Sequence, residues 1–268
     1  MGKALRSASR ALFLLLLGFG SPAYAASVLY AVDNITLDLI VIDTSTGTGS
    51  AVGSVGNDFL SVRSLAYDQS SGTLYGVDSN TNQLLTINTT TGDGTAVGGS
   101  GLDGVQGLTF DSSGTLYGTT TSTNELITID TTTGAGTVVG PLLTSAVLGL
   151  TYDSDDDTIF GASFGTEKEL ISIDATTGAG TTIGSFGFDG VVGLAYDAST
   201  GVLFGVDTNT DQLITIDQLT GAGAAVGSIG FTALNSLALA QVVPIPAAIW
   251  LFGSGLAMLG WLRRRPAI

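Results

Sequence analysis

The sequence predicts an all-β fold built from repeated units, and three observations support this prediction. A Leu-Tyr-like pair recurs five times, with spacings of 45, 42, 43 and 44 residues between successive copies. Each copy contains four short runs of apolar and β-branched residues, and Gly, Asp and Asn separate these runs. Four strands in about 40 to 45 residues are typical of a propeller blade, so we expect a five-bladed β-propeller. The five pairs are Leu29-Tyr30, Leu74-Tyr75, Leu116-Tyr117, Ile159-Phe160 and Leu203-Phe204.

The fifth copy shows the content of one blade. Residues 202–207 and 212–217 are β-branched and aromatic runs, and the turn-forming residues 208–211 separate them. A third run covers residues 224–227, and the innermost run, residues 193–197, ends the preceding copy. Apolar side chains occupy both alternating faces of these runs. This pattern indicates sheets that are buried on both sides, as neighbouring blades bury each other.

The turns between runs have their own signals. Gly134, Gly178 and Gly221 follow Thr between the second and third runs, where tight hairpins need a positive φ. A second set of turns begins with an aspartate whose carboxylate can accept backbone N–H bonds, so we interpret it as structural. These aspartates are Asp68, Asp111 and Asp197. The copy with residues 153–157 at this turn has no glycine there.

The two ends of the repeat region indicate how the ring closes. The repeat region starts with residues 28–33, which correspond to the second strand of a blade. The last innermost-strand motif stands at residues 236–240. That final motif ends in Ala240, where the other copies have Asp, because the chain leaves there. We therefore predict that the C-terminal strand completes the blade that the N-terminal strand begins, which removes free edges.

Residues 1–25 are typical of a secretory signal peptide. Three basic residues precede an apolar run over residues 11–19, which is about half the length needed to span a bilayer. Ala23 and Ala25 supply the small side chains of a cleavage site, so we expect cleavage after Ala25. A short N-terminal anchor is the alternative. The basic residues are Lys3, Arg6 and Arg10.

Residues 242–268 have the pattern of a short membrane-spanning tail. A helix over residues 245–262 would rise about 27 Å, close to the lower limit for a hydrocarbon core. Three arginines follow it and predict that the body lies outside the membrane, because positive flanks stay cytoplasmic. They are Arg263, Arg264 and Arg265, and the segment before the helix reads Val243-Pro244-Ile245-Pro246-Ala247.

This tail resembles the PEP-CTERM protein-sorting domain in its Val-Pro-x-Pro-Ala variant. The resemblance includes the proline motif, the Trp250 to Leu256 stretch and the closing arginines, in order at the C-terminus. Ile245 replaces the Glu of the Pro-Glu-Pro form. Membership implies that an exosortase-type enzyme at the inner membrane processes the tail and passes the protein to the envelope or exopolysaccharide matrix. A tail retained as a permanent single-pass anchor is the alternative.

Composition excludes several kinds of chemistry. The chain of 268 residues has no Cys and no His, so disulfides, thiolate or Ser-His nucleophiles and His- or Cys-ligated zinc are excluded. It has 23 acidic and 8 basic residues, and only Arg63 and Lys168 are basic within the body. A nucleic-acid partner is not expected, because phosphate contacts need clustered Lys and Arg.

Calcium is a candidate ligand at one turn. Asp207, Asn209 and Asp211 match the first half of an oxygen-rich calcium loop. Position six is Gln212 where such loops have Gly, and the twelfth position lacks Glu. We therefore interpret these residues as a hairpin turn, expect no obligatory cofactor, and keep calcium as the alternative.

A small-ligand site is a further candidate, at the mouth of the central channel. The aligned residues just before the innermost strands vary while their neighbours repeat, and three of them are polar: Arg63, Gln106 and Asn235. The other two are Leu148 and Val192. Such a site could hold a sugar or small polar ligand, whereas ordinary loop variation is the simpler explanation.

The prediction as a whole is a signal peptide over residues 1–25, a propeller over residues 26–241 and a sorting tail over residues 242–268. The repeat also resembles bacterial propeller repeats that read Gly-Leu-Ala-Tyr-Asp and Leu-Tyr-Gly-Val-Asp, a resemblance that implies shape and not activity. We expect an exported, non-catalytic binding or structural component of the cell surface or extracellular matrix, with exopolysaccharide as a candidate partner. The alternative is a secreted carbohydrate-active or lactone-hydrolysing enzyme that uses channel-facing carboxylates.

Overall fold

A computed structural model describes residues 27–56, 58–166 and 168–241. Twenty strands in this part of the chain form five four-stranded antiparallel sheets, which are the five blades of a β-propeller. The predicted signal peptide, its cleavage site and the sorting tail lie outside the described residues. Within the described ranges, no helix has the length and apolar character to cross a membrane.

Each blade runs from an innermost to an outermost strand. Blade 1 contains β1 (Val28–Val32), β2 (Asp38–Ile42), β3 (Gly49–Ser54) and, innermost, β20 (Ala238–Ala240). Blade 2 contains β4 (Val62–Asp68), β5 (Thr73–Asp78), β6 (Gln83–Ile87) and β7 (Gly94–Gly99). Blade 3 contains β8 (Val105–Phe110), β9 (Leu116–Thr120), β10 (Glu125–Ile129) and β11 (Gly136–Pro141). Blade 4 contains β12 (Val147–Asp153), β13 (Thr158–Phe164), β14 (Lys168–Ile173) and β15 (Gly180–Ser185). Blade 5 contains β16 (Val191–Asp197), β17 (Val202–Asp207), β18 (Gln212–Ile216) and β19 (Gly223–Ser228).

The predicted closure is confirmed. β20 pairs antiparallel with β1, with Tyr30 opposite Ala238 and Val28 opposite Ala240. An additional bridge joins Asp33 to Leu234. The first and last strands therefore belong to one sheet, so the ring cannot open without breaking that pairing.

The perimeter of the ring repeats one contact at all five blade interfaces. The first residue of each outer strand donates its N–H to a carbonyl of the preceding blade's loop, and the last blade bonds to the first through Gly49 N and Ile229 O at 2.9 Å. Close by, a glycine of each outer strand lies against the Thr-Gly turn of the next blade. A side chain at that glycine would collide with a threonine carbonyl, which explains part of the high glycine content. These glycines are Gly53, Gly98, Gly140, Gly184 and Gly227.

The hydrophobic core lies between the blades. Strand residues point alternately to the two neighbouring sheets, so one buried cluster joins Ala31 and Ile40 of blade 1 to Val206 and Leu213 of blade 5. Similar clusters fill the other interfaces. This arrangement explains why apolar residues occupy both faces of the strands.

The predicted turn chemistry is also present. Gly134, Gly178 and Gly221 have φ values of 79°, 81° and 76°. In the copy that lacks a turn glycine, Asp157 adopts φ 52° in its place. Asp and Asn tolerate the left-handed region better than most residues, so the turn survives the loss of glycine.

Candidate functional site

The ring has two ends that differ in chemistry. We call the end where the innermost strands finish the exit face, because Ser27 and Gln241, the first and last described residues, both lie there. We call the end where the innermost strands begin the bulge face. Within the described ranges, twelve carboxylates and no basic residue lie on the turns of the exit face, whereas Arg63 and Lys168 lie on the bulge face.

The variable residues predicted at a channel mouth lie on the bulge face. Arg63, Leu148 and Val192 are unpaired residues of β-bulges inside the inner strands, where the register with the second strand shifts by one. Gln106 lies in a similar shift, and Asn235 falls between the Asp33–Leu234 bridge and the β20 pairing. The prediction placed these residues just before the strands. The structure shows four of them within the strands, because a bulge adds one residue without ending the pairing.

The bulge position accounts for the sequence variation. A bulged residue is outside the ladder, so its side chain is free of the constraints that fix its neighbours. Arg63 is exposed and its Nε donates to Ser61 Oγ at 2.9 Å, whereas Val192 at the equivalent position is 6% exposed. Arg63, Gln106 and Asn235 lie at this end of the ring, in the adjacent blades 2, 3 and 1.

A partly open cavity lies at the opposite mouth. It has a volume of about 290 Å³ and lies at the exit face, where the channel is walled by the last residues of the five inner strands. Aromatic residues of four blades contribute to the wall, together with polar residues of the adjoining turns. The aromatic residues are Tyr67, Phe110, Tyr152 and Tyr196, and the polar residues include Gln69, Ser112, Ser154 and Gln241. None of the predicted mouth residues lines this cavity.

The aromatic rings are held by contacts between blades. Tyr67 stacks on Tyr30 with ring centroids 6.4 Å apart, and Phe110 packs against Tyr75 at 5.4 Å. The Tyr196 hydroxyl donates to Asp155 of the preceding blade at 2.7 Å. Burial, followed by this bond to the carboxylate, raises the pKa of Tyr196, so its hydroxyl stays protonated as a donor. These contacts join the wall of the mouth across three blade interfaces.

The carboxylates near the cavity serve their own turns. Asp68 and Asp111 line the cavity, and their Oδ1 atoms accept the N–H groups of Ser70 at 2.8 Å and Ser113 at 2.9 Å. Asp197 accepts from Ser199 N at 3.0 Å in the same way. Burial raises the pKa of Asp68, but hydrogen bonds from Ser71 and Ser70 outweigh it and lower the pKa. A lowered pKa suits a hydrogen-bond acceptor and opposes action as a general acid.

The calcium candidates lie in the turn between β17 and β18. Both carboxylate oxygens of the buried Asp207 accept bonds from that turn, Oδ1 from Asn209 N at 3.3 Å and Oδ2 from Thr210 Oγ1 at 2.5 Å. Asp211 has φ 53°, as do its equivalents Asn82 at 52° and Asn124 at 56°. The Asp and Asn pattern therefore has a backbone explanation. Among the described residues, no group of three or more acidic side chains is arranged to hold a metal ion.

Sequence reasoning missed the exit mouth because its aromatic residues repeat. Tyr67, Phe110, Tyr152 and Tyr196 occupy one position of the innermost-strand motif, directly before an aspartate, and repetition suggested a purely structural function. The available signal was the position itself, since it places an aromatic residue of each of four blades at the end of the channel.

Comparisons with known proteins support the fold alone. No protein-family model and no curated protein matches the chain. Among solved structures, the chain is similar to the crystal structure of a nidogen/laminin complex, at 12% identity and a TM-score of 0.59, over 80% of this chain and 98% of that one. A protein of unknown function from Bacteroides thetaiotaomicron is similar at 16% identity and a TM-score of 0.57, over 76% of this chain and 56% of that one. A symmetrical protein from work on de novo evolutionary emergence is similar at 19% identity and a TM-score of 0.51, over 82% of this chain and all of that one, 100%.

Proposed function

We propose that this protein is an exported, non-catalytic β-propeller that an exosortase-type system delivers to the cell envelope or exopolysaccharide matrix. There it acts as a surface binding or structural component. The proposal combines two sequence signals, the secretory N-terminus and the PEP-CTERM-like C-terminus, with the closed ring between them.

One structural observation carries the proposal. Both described ends of the propeller, Ser27 and Gln241, lie on the exit face, and the Ser27 hydroxyl donates to Asp197 at 3.1 Å there. Segments that continue from either end therefore join the propeller at the same end of the ring. The bulge face lies at the other end of the ring.

The surface chemistry suits a binding component. Large apolar side chains are exposed on the bulge face, with Leu60 at 62% and Leu143 at 74%, and the only two basic residues among the described ones, Arg63 and Lys168, lie on the same face. Lys168 Nζ lies 4.0 Å from the centre of the Phe164 ring, a cation–π contact. Exposed apolar and cationic groups on an otherwise acidic body are candidates for contact with another molecule.

The test is fractionation of a strain that produces an exosortase and exopolysaccharide. The full-length chain should be shortened at its C-terminus and recovered in the envelope or matrix fraction. A Pro244→Ala/Pro246→Ala variant should stay unprocessed in the inner membrane, because the motif is broken. Pro266→Ala, which changes a proline beyond the arginines, is the matched control and should behave as the wild type.

Two results would refute the sorting proposal. One is the same size and location for the wild type and the double proline variant. The other is recovery of the wild-type chain in the cytoplasm.

A further inference from the structure

The chain leaves the ring at the mouth of the channel on the exit face. β20 is an innermost strand of three residues, Ala238–Ala240, and the next residue, Gln241, lines the exit-mouth cavity. No turn leads from β20 to the second strand of its blade, because that strand, β1, stands at the other end of the chain. The end of β20 therefore lacks the support that a turn gives the other inner strands. Turn residues of blades 2, 3 and 4 line the same mouth: Ser70, Ser112 and Ser154.

A glutamine of the neighbouring blade holds this end. Gln69 Nε2 donates to the carbonyl of Leu239 at 2.7 Å, and Gln69 Oε1 accepts the N–H of Gln241 at 3.0 Å. One primary amide thus binds an acceptor and a donor of two alternate residues, which point to the same edge of the strand. We call this pair of hydrogen bonds the latch.

The repeat places the latch residue only beside the end of the chain. In blade 2 the residue after the turn aspartate is Gln69, whereas the three blades with an equivalent turn have serine or alanine there. Those side chains carry no amide that could bridge two backbone groups. The difference points to a function at the chain end, since the turn itself forms without the glutamine. The equivalent residues are Ser112, Ser154 and Ala198.

The latch lies close in sequence to the sorting motif. Two residues separate Gln241 from Pro244, the first proline of the motif, and three residues of extended chain reach about 11 Å at most. Enzymes and domains that recognise peptides commonly bind them as extended strands of several residues. An enzyme that takes the motif together with the residues before it therefore also needs the end of β20. Leu239 and Ala240 are only 6% and 5% exposed, so they are inaccessible while the strand is in place.

We propose that the latch limits the rate at which the sorting tail is processed. While Gln69 holds Leu239 and Gln241, the segment before the motif stays on the propeller. When the latch opens, the last pair of the sheet, Val28 and Ala240, can fray and the segment can enter the processing enzyme. The proposal rests on the proposed function, which supplies that enzyme.

Opening of the latch is a local event. Gln69 is exposed, so water replaces its amide when the two bonds break and no buried group loses its partner. Strand ends open at a far lower free energy than the whole fold. The pairing of Tyr30 with Ala238 can remain, and it keeps the ring closed during processing.

The first test follows shortening of newly made full-length chain in a strain that produces the exosortase-type enzyme. Gln69→Ala should be processed faster than the wild type by about three-fold or more, because it lacks both latch bonds. Gln218→Ala is the matched control and should be processed at the wild-type rate. The Gln218 amide also donates to a backbone carbonyl on the exit face, that of Gly201 at 3.2 Å, but this bond lies within blade 5.

A linker tests the proposal with the latch intact. A Gly-Ser-Gly-Ser insertion after Gln241 should accelerate processing at least as much as Gln69→Ala, because the enzyme no longer needs the end of β20. Adding Gln69→Ala to the insertion should give no further increase. In purified full-length protein, the Gln241 N–H should exchange with solvent about ten-fold faster in Gln69→Ala than in the wild type. Thermal unfolding verifies that every variant is folded.

Several results would overturn the latch proposal. They are equal or slower processing of a folded Gln69→Ala variant, equal acceleration of Gln218→Ala, or an insertion without effect. A purely structural role of Gln69 would lower the unfolding temperature and leave the processing rate unchanged. Absence of processing in the wild type and in every variant would refute the proposed function and the latch with it. The two failures differ, because the wild-type chain is still shortened when only the latch proposal is wrong.

Discussion

At the scale of single residues, Leu37 has a backbone conformation that suits a leucine poorly. It has φ 59° in the turn between β1 and β2, where the equivalent residues are Asn82, Asn124 and Asp211. A Leu in the left-handed region costs about 1–2 kcal/mol, and Asn lowers that cost.

We therefore predict that Leu37→Asn raises the free energy of unfolding by about 1 kcal/mol. The reverse change, Asn82→Leu, should lower it by at least as much, because Asn82 Oδ1 also accepts Gly104 N at 3.1 Å. Urea unfolding of the three proteins measures both effects. A less stable Leu37→Asn variant would mean that Leu37 packing outweighs backbone strain.

The aspartates of the outer hairpins predict sensitivity to acid. In four blades an aspartate carboxylate accepts two successive N–H groups of its turn. These backbone bonds are the main cause of the lowered pKa of Asp130 and Asp174. At Asp43 and Asp217 the pKa is also lowered, and the largest cause is the side-chain hydrogen bond from Ser45 or Thr220. A lowered folded-state pKa stabilises the protein above the unfolded value, about 3.9. That stability is lost as pH falls through the lower folded value.

Asn88 provides the control for this prediction. It occupies the same turn position in blade 2 and accepts Thr90 N at 2.8 Å and Thr91 N at 3.1 Å without a charge. Changing the four aspartates to Asn should therefore keep the turns and make stability fall less between pH 5 and pH 3. Thermal unfolding across that range measures the difference. Equal losses in both proteins would assign the acid sensitivity to other carboxylates.

At the scale of strands and turns, the outer glycines hold the blades close together. Ala at Gly227 would place its Cβ against the carbonyl oxygen of Thr46, across the interface between the last and first blades. Gly99 also lies in an outer strand, but no atom lies within 4 Å of a Cβ added there.

Gly227→Ala should lower the free energy of unfolding by about 1–3 kcal/mol, because the backbones must move apart. Gly99→Ala should change it by less than about 1 kcal/mol. Chemical denaturation of this matched pair tests the interface. Similar values for both variants would contradict close packing between the ends of the ring.

The same elements show how far sequence reasoning reached. The repeat spacing, the four strands of each blade and the closing strand were predictable, because turn residues and buried strands leave periodic local signals. The bulges at Arg63, Leu148 and Val192 were not, since a bulge depends on how two strands pair across space. The cavity at Tyr152 and Ser154 was missed for a related reason: which end of a channel stays open depends on packing between blades.

At the scale of the whole molecule, the ring depends on its two chain ends. All five blade interfaces repeat the same perimeter bond, yet only blade 1 is assembled from distant segments, with β20 beside β1. The exit face, its cavity and the common attachment of both ends all follow from this pairing. An open chain of blades would have neither a channel nor a defined mouth.

The most direct test is a disulfide between the paired residues Val28 and Ala240, which are opposite each other in β1 and β20. The natural chain has no Cys, so a Val28→Cys/Ala240→Cys variant can form a single bond within one chain. We predict that it forms quantitatively on mild oxidation and raises the free energy of unfolding by about 5 kcal/mol relative to the reduced variant, as the chain-entropy relation gives for a loop of this length. Failure to form the bond in folded monomer, or formation only between chains, would contradict the closed five-bladed ring.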